Sequence, residues 1–498
     1  MEKADPLEEK TLKSEKKFKI YFSDFFGVTP CTLEEYGAFD ISLINDLPLF
    51  IDPFLLFNSS KEEYQNLHNN IISYMMFLKE KSKTPLSQGL VKAWFHFPEV
   101  HQNWMGFSKN GNKGRGLGSE FASSLKTNFN TIFSSFGEES ETHTHLGKLT
   151  LIKNGIGKDN ISDFTCNLIK GFLAEYTQIF ATKNIKYDKL GKFNIDKTEF
   201  NYKTETWVTK QYILPRFGND YVLLTPTDIL TKDDAWISHN GFVENFSSIV
   251  DSIGNQSLRS QIENYFMSQL PIESNKKEYE KAVEIVVQKY PSLLDLFIKI
   301  REQEGSNATL NSSEKVKAAQ QIFVQQLKKF IELVDKTDFY KTATNSYSEG
   351  MQRVLFLKHV IENQDGYKLF YLKGKAITRE NDLQIMFKLT WFASAYSSDA
   401  EVNNGRGPSD FLVSYGSGDK SVIEFKLAKN SQLERNLKSQ AEIYSVASNA
   451  THPPIKVILY FKPSELLKVT NVLRKLKLES SKNIVLIDAS PKSSASTV

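Results

Sequence analysis

Residues 408–427 read PSDFLVSYGSGDKSVIEFKL, two apolar stretches separated by a glycine-rich turn. DFLVSY (410–415) and SVIEFKL (421–427) have the residue types of strands, and GSGDK between them reads as a hairpin loop. In the second strand Glu424 and Lys426 stand among Val422, Ile423, Phe425 and Leu427. Strand side chains alternate, so Glu424 and Lys426 point to one face and Phe425 to the other. Two charges in so apolar a strand are costly unless they have partners. Asp410 opens the preceding strand. A hairpin centred near Gly418 sets it roughly across from Lys426, and a slip of one residue would turn it to the opposite face.

The flanking sequence completes an α/β unit. ENDLQIMFKLTWFASAYS (380–397) has a helical pattern, residues 400–403 form a short strand candidate, and GRGPS is a turn. After the charged strand, Ser431 and Glu434 make a capping box for a helix expected to reach about residue 448. KVILYF reads as a buried strand, Ser464 is placed to cap a helix to about residue 476, and IVLIDA closes the set. The order helix, three strands, helix, strand describes a compact mixed α/β unit with one sheet face available for a site.

Two carboxylates and a lysine are what phosphodiester hydrolysis needs. Carboxylates supply hard oxygen ligands for Mg²⁺, which takes few protein ligands and keeps several waters. The metal polarises the phosphate and lowers the pKa of a bound water. A lysine can orient or deprotonate that water and offset charge growing on the phosphorane.

Pro408-Ser409-Asp410 followed by Glu424-Phe425-Lys426 resembles the signature of the PD-(D/E)xK, restriction-endonuclease-like superfamily, with a serine set between the proline and the aspartate. The expected element order also resembles that superfamily's αβββαβ core, over about residues 376–462. Gln440-Ala441-Glu442-Ile443-Tyr444 resembles the Q-x-x-x-Y motif of its RecB-like and lambda-exonuclease-like branch. At i,i+4 Gln440 and Tyr444 share a helix face. The resemblance implies a metal-dependent nuclease with Mg²⁺ (or Mn²⁺) on Asp410 and Glu424, helped by the Phe425 carbonyl, and Lys426 serving the attacking water. Gln440 and Tyr444 are implied to support the site and the substrate strand. An acidic residue on the preceding helix is also implied: Glu380 is the first candidate, with Asp382 and Glu401 as alternatives. Arg406, Lys429, Arg435 and Lys438 are the expected contacts to nucleic acid, DNA more than RNA. The alternative is a non-catalytic nucleic-acid-binding or sensor protein on the same fold.

The rest of the chain divides into a charged tail (1–17), an α+β region (18–240), a mainly helical segment (241–345) and the nuclease unit (346–492). Within the α+β region a helix is expected over 62–81 and another near 166–182, with strand-like runs at 149–164 and 221–236. The Gly-rich loop 106–118, with Lys109, Lys113 and Arg115, could grip phosphates, though a surface loop explains it equally well. His143 and His145 form an H-x-H read as loop histidines, and Asp159 and Asp163 as turn and cap residues. Asn311 is expected to cap a helix with Glu314 as its partner. The stripe Val316, Ala319, Ile322, Phe323, Leu327, Phe330, Ile331 and Val334 is read as a packing face.

The composition, 40% hydrophobic and 24% charged, is that of a folded soluble protein, which sets disorder aside. Residues 401–498 hold 14 Lys+Arg against 9 Asp+Glu, a surplus of five that leaves residues 1–400 at −2 of the net +3. The basic part is the C-terminal part. Cys31 and Cys166 form no C-x-x-C pair, which argues against a disulfide framework and a structural zinc. No secretory h-region and no membrane span are visible, so a cytoplasmic protein is expected. A protein partner or a homo-oligomer is left open, and a place in prokaryotic anti-phage defence is an expectation by analogy alone.

Overall fold

The computed structural model describes residues 19–106, 123, 136–139, 142–151, 158–232, 234–271, 274–339, 343–391, 397–400, 411–414, 418–440 and 450–492. Its architecture is mixed α/β, with helices outweighing small sheets. In the first half β1 (Phe50–Ile51) pairs antiparallel with β5 (Leu230–Thr231), tying the start of the region to its end. Helix α1 (Glu62–Ser82) covers the expected span and buries Tyr64, His68, Ile71, Tyr74, Met75 and Leu78 at helical spacing. Helices α2 (Lys158–Leu168) and α3 (Lys170–Asn184) follow.

The longest strands, β2 (Leu190–Asn201) and β3 (Thr206–Phe217), make a hairpin extended by β4 (Asp220–Tyr221). This hairpin stands where no strand run was expected, because its outer face is polar and its ladder is broken. The register shifts between Ile195 and Glu199, where Lys197 takes φ +58°. Conversely, Leu146–Thr150 is a 3-10 turn rather than a strand, and Asp163 lies within α2. A short apolar run alone does not separate strand from helix.

The helical segment contains α4 (Gln256–Gln269), α5 (Lys276–Lys289), α6 (Ser292–Gln303) and α7 (Gly305–Gln320), then a π turn (Gln321–Gln326) and α8 (Leu327–Asp335). Asn311 is not a cap. It is exposed within α7, whose buried stripe extends upstream through Ser312 and Ala308 to Gly305. The apolar stripe from Val316 to Val334 is buried throughout.

The last part is built on a five-stranded sheet in the order β12 (Ile484–Asp488), β11 (Ile455–Tyr460), β10 (Lys420–Leu427), β9 (Phe411–Ser414), β8 (Ser397–Ala400). β10, β11 and β12 run parallel, and β9 is antiparallel to both β10 and β8. A separate small hairpin joins β6 (Tyr371–Leu372) to β7 (Lys375–Ala376). Helices α9 (Ser346–Asn363) and α10 (Glu380–Thr390) cover one face of the sheet. Phe387 stacks on Phe425 at 4.1 Å, and α9 approaches closely enough at Gly350 that a Cβ there would lie 2.9 Å from Ile423 Cδ1. Beside it the Glu349–Arg353 pair is fully buried, the guanidinium lying 4.6 Å from the Phe339 ring and 5.2 Å from that of Trp391. The other face carries α11 (Leu433–Arg435), a π turn (Asn436–Gln440) and α12 (Pro463–Lys475), meeting at Ala428, Leu433, Leu437, Ile458, Val469 and Leu473.

Several local expectations shift here. Helix α10 ends at Thr390, seven residues early, because Trp391 leaves the helix to stack parallel to Phe411. The short strand is 397–400, not 400–403. Ser431 does not cap α11: Gln432 is the N-cap, and Asn430 Oδ1 accepts from the Gln432 amide. α12 starts with Pro463 at its first position, where a proline's fixed φ and missing N–H suit a helix start, so Ser464 lies inside. The hairpin pairs Phe411 with Ile423 and closes at Ser414 with Lys420, around residues 415–419. That register is two residues from the one that would put 410 across from 426. A shift of two preserves the face.

The helical segment and the sheet unit share one continuous apolar core with the first half, running from Ile20 to Ala489. A largely buried ion pair joins them: Lys232 Nζ lies 2.8 Å from Asp382 Oδ2 on α10. Asp382→Ala would strand that ammonium, costing about 3–5 kcal/mol. Chemical denaturation should therefore show a lower midpoint for Asp382→Ala and recovery in Lys232→Met/Asp382→Leu. A double variant weaker than the single one would refute this account.

Candidate active site

Glu424 and Lys426 occupy the central strand of the sheet, 2% and 9% exposed. Pleat alternation puts them on the face opposite Phe425, the side on which α11, the π turn and α12 pack. The Leu427 amide, at the end of β10, is engaged by α10. It donates to Glu380 Oε1 at 3.1 Å, and Asn430 Nδ2 donates to the same oxygen at 2.8 Å. Glu380 Oε2 lies 3.9 Å from Lys426 Nζ. The first turn of α10 is thus fastened to the end of β10, and its carboxylate faces the strand's ammonium.

Of the two acidic candidates on the preceding helix, Glu380 is brought to the strand. Asp382 faces Lys232 instead, and Glu401 lies outside the described residues. Asp410, Arg406 and Tyr444 also lie outside them, as does the side chain of Gln440, whose backbone ends the π turn. No side chain caps α11: its N-cap is Gln432, whose own amide donates to Asn430 Oδ1. Lys429, Arg435 and Lys438 are exposed along the rim, and partial burial lowers the Lys429 ammonium from its ordinary value.

Three residues of this neighbourhood were not anticipated from the sequence. Asn430 anchors Glu380. Lys468 donates to the carbonyls of Ala428 and Asn430 at 3.0 and 2.7 Å, pinning the loop after β10. Lys456, 7% exposed, pairs through its Cα with Glu424 across the parallel ladder and donates to the Leu437 carbonyl at 2.7 Å. The signal that found Glu424, a charge inside an apolar strand, was also present at Lys456 within KVILYF.

With this geometry in place, the comparisons with known proteins divide the chain in the same way. Residues 27–238 match a family model described as a domain of unknown function (DUF8370), and residues 346–463 match a second such domain (DUF8371). No curated protein and no solved structure matches the chain. The second span opens at α9 and ends at the start of α12. It contains every residue singled out above except Lys232 and Lys468. Among the described residues no helix is long and apolar enough to cross a membrane.

The H-x-H pair lies in a loop, as expected, but its second histidine is buried. His145 is 2% exposed and its Nε2 lies 2.8 Å from Glu302 Oε1, which also accepts the His143 amide at 2.7 Å. His145 packs on Phe57 and sits 5.6 Å, ring to ring, from buried His68 on α1. Burial, then the neighbouring His145, pulls His68 down to about 3. A histidine depressed by folding contributes stability that is fully present above its unfolded value near 6.5 and is lost as pH falls towards 3. Urea midpoints should therefore fall from pH 7 to pH 4.5, by on the order of 2–3 kcal/mol for this group, and His68→Leu should lose less. Parallel pH curves for wild type and variant would show that His68 is not the cause.

Proposed function

We propose that this chain is a divalent-cation-dependent nuclease of the PD-(D/E)xK kind, acting on DNA more than RNA. The observation that carries the reading is the placement of Glu424 and Lys426 on one face of a doubly covered central strand, with Glu380 within 3.9 Å of the Lys426 ammonium. The order helix, three strands, helix, strand over residues 380–460 supports it, being the layout that the superfamily's core implies. Leu412 shares Glu424's side of the sheet, and residue 410, where the second carboxylate is expected, stands two positions before it.

In this reading Asp410 and Glu424 hold Mg²⁺ or Mn²⁺ through carboxylate oxygens, the hard donors such ions prefer. The ion, when bound, polarises the phosphate and acidifies a water. Lys426 orients the attacking water and offsets the charge that grows on the phosphorane. Glu380 keeps the Lys426 ammonium directed at that spot and fixes the turn after β10. Gln440 and Tyr444 support the substrate strand, and Arg406, Lys429, Arg435 and Lys438 meet its phosphates. Residues ahead of 346 serve recognition, regulation or assembly. A large partner region before a small nuclease unit suits prokaryotic anti-phage defence, an inference from arrangement only.

A second reading keeps the fold as a nucleic-acid-binding platform without chemistry. In its favour, Glu424 and Lys426 are 2% and 9% exposed under the elements that cover their face. Purified protein incubated with plasmid and linear DNA, with Mg²⁺ or EDTA, separates the two. Wild type should cut only with Mg²⁺, and Asp410→Ala/Lys426→Ala should be slower by at least about a hundredfold. Equal cleavage by the two proteins would eliminate the nuclease reading. Calorimetric heat with Mn²⁺, lost in Glu424→Gln, would eliminate the platform reading.

A further inference from the structure

Lys456 stands out among the buried cations of the sheet. Its strand is otherwise Ile455, Val457, Ile458 and Leu459, all buried, and the half-buried Tyr460. An apolar residue would pack there at no electrostatic cost, whereas taking an ammonium out of water is worth several kcal/mol that its contacts must offset. Two of its relations are visible. Parallel pairing sets its Cα beside that of Glu424, one strand spacing of about 4.8 Å away and on the same face. Its Nζ reaches across that face to the Leu437 carbonyl, a buried 2.7 Å hydrogen bond.

Leu437 belongs to the π turn Asn436–Gln440. A π turn widens the backbone spiral by one residue, and such irregularities gather at functional sites. Here the widened turn gives one carbonyl to a lysine from the sheet. Asn436 and Leu437 are buried, 8% and 2% exposed, so the turn is seated on the sheet rather than fraying from it.

We infer that Lys456 is a positioning residue: it holds the π turn that ends in Gln440 against the strand that carries Glu424. Its bearing on catalysis rests on the nuclease reading, whereas the contact itself does not. Lys456 touches neither substrate nor metal in this scheme. It sets the distance between the two motif-bearing elements through a single ammonium.

The test compares wild type, Lys456→Met, Lys456→Arg and Glu424→Gln as full-length proteins. Hydrogen–deuterium exchange across residues 433–440, without DNA or metal, reads the contact directly. Lys456→Met should exchange there about tenfold faster, with the thermal midpoint held, since an apolar residue replaces a buried charge. Lys456→Arg should restore protection. In the cleavage assay Lys456→Met should lower kcat by about tenfold or more, the size usual for a supporting residue, with KM nearly unchanged, and Lys456→Arg should recover most of it. Unchanged exchange in Lys456→Met overturns the proposal, as does equal loss in Met and Arg variants together with a lowered midpoint. Wild type that cuts no better than Glu424→Gln removes the nuclease reading alone, and the exchange result then still decides whether Lys456 holds the turn.

Discussion

A strand covered on both faces by helices cannot send its charges to water, and β10 buries two. Everything nearby is arranged around that constraint. On the face of Phe425 the solution is apolar: α9 and α10 close down with Gly350 against Ile423 and Phe387 stacked on Phe425. On the face of Glu424 and Lys426 it is polar at close range. Glu380 comes round the end of the strand, Asn430 and the Leu427 amide hold it there, and Lys456 stands beside Glu424 on the next strand. Buried ions are poor stabilisers compared with apolar residues of the same size. Their concentration on one patch of an otherwise hydrophobic sheet is therefore better explained by chemistry than by packing, and that inference underlies the proposed function.

Helix α10 links this patch to the first half of the chain. One side of it lies on the sheet through Phe387. Its first turn carries Glu380 to the strand end, and Asp382, two residues on, is gripped by Lys232. The core is continuous across the junction. The region matched by the first family model ends at residue 238, a few residues after Lys232, which is ion-paired to the helix that carries Glu380. A site built on a helix shared by two regions inherits its geometry from both.

What the sequence disclosed and what it hid follow from the range of the forces involved. Period-two alternation is local, so the opposed faces of Glu424 and Phe425 could be read from six residues, and the succession of elements from residue 380 to 488 could be read from composition and turns. Strand register depends on loop closure, and counting from Gly418 missed it by two residues. Helix starts depend on competition: Gln432 rather than Ser431 is the N-cap of α11, Pro463 at the first position of α12 puts Ser464 inside, and the run of small residues before Asn311 extends α7 back to Gly305. The 190–217 hairpin has a polar outer face and a bulge at Lys197, so its alternation is diluted. Asn430 acts through the Glu380 carboxylate and Lys468 through backbone carbonyls, partners brought near only by the fold, and no spacing rule reveals such contacts.

The cations of the C-terminal part fall into two groups that the +5 surplus conceals. Lys429, Arg435 and Lys438 are exposed at the rim, where an ion pair or phosphate contact is weak, screened by salt and indifferent to sequence. Lys426 and Lys456 are buried, fixed by carbonyls or carboxylates, and beyond the reach of bulk screening. Under the nuclease reading a polyanion would be attracted by the first group and, of the second, meet only Lys426 at the strand end beside Glu380, with Lys456 turned to the π turn. Under the nuclease reading that separation divides labour: exposed charge gathers substrate without selecting a bond, and buried charge, held to a fraction of an ångström, acts on the one phosphate that reaches it.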